Sequence, residues 1–144
     1  MERVRGTCVA IGASGVLLRG PSGAGKSDLA LRLIDGGARL VADDYTVVRR
    51  DDGRLVATAP DELRGLLEVR GIGIVRFDPL GSATLIAAID LSPRDEIDRL
   101  PASEHLTILG IPVPLFAVAA QDASAPAKVR LIAGIASGAV EQTA

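Results

Sequence analysis

The sequence predicts an α/β domain with a mixed β-sheet and few helices. Three observations carry that expectation. A short, nearly continuous apolar run, Gly15 to Arg19, leads into a glycine-rich loop and then into a segment with helical spacing. The strand-like runs that follow lie too close together for a helix between each pair, which disfavours an all-parallel sheet. Only one other segment, Pro126 to Ala136, shows helical spacing.

The elements follow in order. Val4 to Ile11 reads as a first strand, and Gly15 to Arg19 as one covered on both faces. Ser27 to Ile34 is a helix with Leu29, Leu33 and Ile34 on one side, stopped by Gly36 and Gly37. Arg39 to Ala42 is a strand running into Asp43 and Asp44. Tyr45 to Arg50 and Arg54 to Ala59 flank Asp51-Asp52-Gly53 as a hairpin. Pro60 to Leu66 holds one or two helical turns. Leu67 to Phe77 alternates apolar residues with glycine, the pattern of strand and loop. Ala83 to Leu91, Leu106 to Leu109 and Pro112 to Val118 are strands, and Ser92 to Pro101 is a charged connection. Pro126 suits the start of the last helix.

A chain of 144 residues matches one domain, residues 1–144. Sixteen basic and 18 acidic residues leave a net charge of -2, which argues against a nucleic-acid footprint. Tyr45, Phe77 and Phe116 are the only aromatics, too few for base-stacking platforms. The single cysteine, Cys8, and single histidine, His105, exclude an internal disulfide and a Cys- or His-rich metal site. His105 is assigned no role. With no membrane-length apolar run and no apolar signal region, the expectation is a cytoplasmic protein.

Gly20-Pro21-Ser22-Gly23-Ala24-Gly25-Lys26-Ser27 fits G-x-x-x-x-G-K-[ST], the Walker A loop, in its proper strand–loop–helix context. Its glycines let successive backbone N–H groups curl around a phosphate, and the helix dipole adds attraction. Lys26 supplies a mobile charge for the transferring phosphoryl group, and the Ser27 hydroxyl can ligate Mg²⁺, so ATP and Mg²⁺ are the expected ligands. Asp43 and Asp44 end the next strand, where ligands of such sheets collect. One of them can hold the metal, and the other can take a proton from an attacking hydroxyl. Glu68 and Arg70, two apart on an extended strand, share a face and suit a metal and a phosphate respectively. Arg99 lies in the proline-flanked connection, where its planar fork could reach a phosphate.

Taken in order, residues 20–27, Arg39-Leu-Val-Ala-Asp-Asp44, Leu67-Glu-Val-Arg-Gly-Ile-Gly-Ile74 and Asp98-Arg99-Leu100 resemble the catalytic domain of HPr kinase/phosphorylase, over roughly residues 4–135. The resemblance implies a P-loop fold akin to phosphoenolpyruvate carboxykinase. It implies phosphorylation of a serine on HPr, the carrier protein of the sugar phosphotransferase system, and phosphorolysis in reverse. It further implies that Lys26 contacts the transferred phosphate, that Ser27 and Glu68 ligate magnesium, and that Asp44 accepts the serine proton. Asp43 supports the metal or Asp44, Arg99 matches a catalytic arginine, and residues 67–76 match the family's signature segment. A homo-oligomer is implied, hexameric in the family's longer members, which carry an extra N-terminal domain. The present chain resembles the short alphaproteobacterial form. Two departures stand out: Arg5 aligns best with a family histidine, and Ala125-Pro126-Ala127-Lys128 replaces a Pro-Gly-Arg-Asn-like segment. The expectation from these is weak or absent phosphorylase activity. The competing readings are a small-molecule P-loop kinase, which usually carries an arginine-bearing helical lid, and a non-catalytic nucleotide sensor.

Overall fold

The computed structural model describes residues 1–144. In chain order the strands and helices are β1 (Glu2–Arg5), β2 (Thr7–Ile11), β3 (Ser14–Arg19), α1 (Lys26–Asp35), β4 (Arg39–Ala42), β5 (Tyr45–Asp51), β6 (Arg54–Thr58), β7 (Leu66–Val69), β8 (Gly73–Arg76), β9 (Ala83–Leu91), β10 (Glu104–Ile108), β11 (Ile111–Val118) and α2 (Ala125–Ser137). The anticipated mixed α/β architecture with two helices is present. No helix is long and apolar enough to cross a membrane.

Nine strands form one sheet, ordered β1-β5-β6-β9-β3-β2-β4, with β11 also on β9 and β10 on β11. The centre is β9, parallel to both β3 and β11. β4 stands one strand beyond β3, across the antiparallel β2, so β3 and β4 run the same way. The C-terminal ends of β3, β4, β9 and β11 therefore open on one edge of the sheet, where ligands gather in such folds. β7 and β8 form a separate antiparallel hairpin.

Side-chain alternation splits the core across the sheet's two faces. Val9, Val16, Leu18 and Ile89 pack under α1 and α2, together with Leu29, Leu33, Val129 and Ile132. Cys8, Ala10, Leu17 and Ala88 face the other way, against Val48, Leu55 and Val113. Burial pushes the Cys8 thiol up to about 12.

One sequence expectation is corrected. Val4 to Ile11 is not a single strand. It breaks at Gly6, whose φ is +155°, so that β1 pairs with β5 while β2 pairs with β3 and β4. A Cβ at Gly6 would stand 2.8 Å from the Leu18 carbonyl oxygen and 2.9 Å from Leu17 Cδ1, so only glycine lets the chain turn there.

A second irregularity aims the site. Cys8 pairs with Ala42 and Val9 with Leu40, which leaves Val41 as an extra residue in β4. Such a bulge reverses the alternation beyond it. Leu40 faces the helices, whereas Val41 and Ala42 both face the opposite core. Asp43, next in line, thereby returns to the side of α1.

Candidate active site

The phosphate loop leaves β3 and enters α1 at Lys26. Gly23 and Gly25 adopt φ of +85° and +98°, the left-handed conformation that the curled loop requires. Gly25 is doubly constrained, because a Cβ there would come within 3.1 Å of Ala120 Cβ. Pro21 O accepts from Ala24 N at 3.0 Å, closing the turn. Lys26 Nζ donates to Gly20 O at 2.6 Å and to Pro21 O at 3.1 Å. Ala24 packs against the helix-side core.

Asp43 is the anchor of the corner. It is 9 % exposed and accepts from Thr7 Oγ1 at 2.8 Å. Ser27 Oγ lies 3.1 Å and 3.3 Å from its two carboxylate oxygens. The Thr7 hydroxyl fixes the carboxylate from the sheet side, and the second bond ties β4 to the start of α1. A P-loop hydroxyl joined to an acid on a neighbouring strand is the donor pair that holds Mg²⁺ in P-loop enzymes. The chemistry of the pair fits the ion.

Asp44 is exposed, with a φ of +66°. Its carbonyl accepts from Gly6 N at 2.9 Å, and Asp43 O accepts from Tyr45 N at 2.7 Å. This tight turn lets Asp43 point into the α1 side while Asp44 lines the cleft. A non-glycine residue held in the left-handed region between a buried anchor and a strand is a local cost of the kind stored at functional sites.

Opposite the loop stands the β7–β8 hairpin, and between them opens a cleft of about 1250 Å³. Ser22, Lys26, Ser27, Asp43 and Asp44 line one wall, and Glu68 and Arg70 line the other. β7 ends at Val69, so Arg70 sits in the turn rather than on the strand face with Glu68, yet both border the cleft. Asp43, Asp44 and Glu68 do not converge: no three Asp, Glu, His or Cys side chains gather at metal-ligating range. Arg99 is exposed in the connection after β9 and is not part of the cleft wall. His105 is exposed on β10, which pairs only with β11.

Several participants escaped sequence reasoning. Thr7 and Gly6 act through β2 and the β1–β2 bend. Arg5, singled out in the sequence only as the position aligned with a family histidine, donates from Nη2 to Ser22 Oγ at 3.2 Å and so reaches the phosphate loop. Gln121 lines the cleft from the turn after β11. That turn is braced by Arg32, whose guanidinium donates to Ala120 O and, at 3.4 Å, to Asp122 O. Lys128 Nζ and Arg94 Nε approach Asp122 Oδ2 at 3.5 Å and 3.8 Å. No spacing signal marks Gln121 or Asp122. Thr7 could have been found only from the strand pairing.

Comparison with known proteins decides the family. A family model described as the HPr serine kinase C-terminal domain matches residues 1–137. The chain belongs to that family. An HPr kinase/phosphorylase from Clostridium botulinum (strain Eklund 17B / Type B) is 37 % identical over 122 residues, covering 77 % of this chain and 40 % of that protein. One from Peptoclostridium acidaminophilum is 41 % identical over 124 residues, covering 78 % and 40 %. This HPr kinase-family chain thus spans about two-fifths of the length of these curated relatives. The solved structure of the Hpr(Ser) kinase/phosphatase from Coxiella burnetii superposes with a TM-score of 0.80 at 27 % identity, covering 92 % of this chain and 88 % of that one. The fold is therefore the P-loop, phosphoenolpyruvate-carboxykinase-like fold of HPr kinases.

Proposed function

We propose that this chain is an ATP- and Mg²⁺-dependent serine kinase that phosphorylates HPr. The observation that supports this reading is the Thr7–Asp43–Ser27 hydrogen-bonded chain, which joins the Asp43 carboxylate to the phosphate-loop hydroxyl, with Asp44 lining the cleft beside them. Family membership and the HPr kinase relatives support the substrate.

The loop amides from Gly23 to Lys26 and the N-terminus of α1 bind the polyphosphate. Lys26 turns from the Gly20 and Pro21 carbonyls to the transferring group. Ser27 and Asp43 would hold Mg²⁺, with Glu68 completing its environment from the hairpin, and the ion would offset charge on the β- and γ-phosphates. Asp44 accepts the proton of the acceptor serine as its oxygen attacks the γ-phosphorus. The bond to the β-phosphate oxygen breaks, and ADP leaves. Arg70, on the cleft wall, is the proposed guanidinium partner of the transferred phosphate, whereas Arg99, off that wall, is given no contact with it.

Each helix carries one arginine, Arg32 or Arg130, and both are committed within the fold, Arg32 also to Asp28. Neither forms an arginine-rich lid of the kind used by small-metabolite kinases, which favours a protein acceptor. Lys128, in the segment that departs from the family, is paired with Asp122 rather than lining the cleft, in keeping with a feeble reverse reaction. We place the protein in the cytoplasm and propose that it acts as a homo-oligomer.

The test is transfer of labelled phosphate from ATP to purified HPr, with the acceptor's serine-to-alanine variant as control. Labelling of HPr that the control abolishes supports the reading. Labelling of a metabolite instead, or nucleotide binding with no transfer, contradicts it. Rapid pyrophosphate release from serine-phosphorylated HPr and phosphate would contradict the weak reverse reaction alone.

A further inference from the structure

Ile72 and Ile74 are the most exposed large apolar side chains after Met1, at 77 % and 73 %. Both lie on the β7–β8 hairpin and both line the cleft. The hairpin is otherwise well ordered by its own rules. Ile72 N donates to Val69 O at 3.0 Å across the turn, and Gly71 supplies the φ of +87° there. Pairing explains the contrast between its faces. Leu67 opposite Val75 turns inward, and Leu67 is fully buried, whereas Ile74 lies opposite Glu68 on the outward face.

Two neighbouring isoleucines left in water beside a phosphoryl-transfer centre call for a partner. The nucleotide phosphates belong to the opposite wall. The cleft, at about 1250 Å³, exceeds the roughly 300–1,000 Å³ of pockets that enclose one small ligand. A small polar acceptor would leave both isoleucines wet. A second copy of this chain seated on them would obstruct the cleft into which Asp44 and the phosphate loop open. A folded acceptor protein covers the apolar wall and delivers a serine to Asp44 at the same time.

We propose that Ile72 and Ile74 are the landing surface for the protein acceptor, packing against apolar side chains that flank its reactive serine. This rests on the protein-kinase reading above. Such enzyme–substrate contacts are small and transient, so a pair of anchoring side chains can dominate them.

The experiment is steady-state transfer from ATP to HPr by the whole chain and by its Ile72→Ser and Ile74→Ser variants, with melting temperature and light scattering on each. Each variant is expected to raise KM for HPr roughly tenfold, the effect of losing one buried isoleucine contact, with KM for ATP unmoved. Ile72 stands in the turn between two glycines, so Ile72→Ser carries the test even if Ile74→Ser disturbs the hairpin. Transfer by the parent chain with unchanged KM for HPr in both variants overturns the docking surface alone. A raised KM for ATP overturns it in favour of a nucleotide wall. An altered oligomeric state with KM for HPr intact overturns it in favour of a contact between copies. Absence of transfer by the parent chain overturns the kinase reading and this surface with it.

Discussion

The two walls of the cleft are built in opposite ways. The corner made by Gly6, Thr7, Ser27 and Asp43 is tied into the nine-stranded sheet, with Thr7 fully buried and Asp43 nearly so. The β7–β8 hairpin is a two-stranded sheet of its own, anchored mainly by Leu67 and exposing Glu68, Arg70, Ile72 and Ile74. The contrast suits a division of labour: the groups proposed to hold metal and phosphate are pinned by buried bonds, whereas those proposed to meet a partner stand exposed on a small separate hairpin.

The largest stability effect belongs to the corner. Gly6→Ala puts a methyl against the Leu18 carbonyl at a backbone conformation alanine avoids. It is expected to cost about 3 kcal/mol and lower the melting temperature by roughly 10 °C in a calorimetric scan. Thr7→Val removes the hydroxyl that holds Asp43 and leaves a buried carboxylate oxygen a donor short. The expected loss is about 2 kcal/mol in chemical denaturation, with weaker Mg²⁺ dependence of transfer. On the other wall, Glu68→Gln should leave the melting temperature within about 1 °C, since the side chain is exposed. It should instead raise the Mg²⁺ concentration needed for half-maximal transfer, by about tenfold. A large stability loss in this variant would erase the contrast between the walls. The smallest effect comes from Cys8. Its thiol is held neutral up to about 12 by burial, so the folded chain keeps a proton that the unfolded chain releases above its ordinary value of 9.0. Stability therefore falls as pH rises from 9 toward 12, and Cys8→Ser should flatten that decline in denaturation at several pH values.

Much of this architecture could be read from the residues alone, and the exceptions have physical causes. The phosphate loop was legible because its chemistry needs particular residues at fixed spacing. Arg39–Ala42 and Ala83–Leu91 carry patterns strong enough to match the observed strands residue for residue. The break at Gly6 was hidden because a lone glycine between Arg5 and Thr7 carries no turn signal of its own, and only the approach of Leu17 and Leu18 forbids a side chain there. Simple alternation along β4 would send Asp43 away from Ser27. The extra residue Val41 reverses it, and a bulge is a property of the pairing between β2 and β4, not of either strand. Likewise Ile86 in β9 is skipped between Gly15–Leu85 and Val16–Ala87, which explains why Leu85 and Ala87 face different cores. Glu68 and Arg70 do not share a strand face, because β7 ends at Val69, yet the turn leaves both bordering the cleft. Arg99 was singled out by its neighbours in sequence, and its exposed connection keeps it off the cleft wall.

In the proposed kinase, Asp43 and Asp44, adjacent in sequence, would have separate tasks: Asp43 would hold the metal end of the phosphate site, and Asp44 would take the proton. Asp44→Asn addresses this separation most directly, measured as single-turnover phosphate transfer to HPr alongside the dissociation constant of Mg²⁺-ATP. The account predicts transfer reduced by about 10²–10⁴-fold with nucleotide affinity nearly unchanged. A variant that transfers phosphate at the parent rate, or that loses nucleotide binding instead, would contradict it.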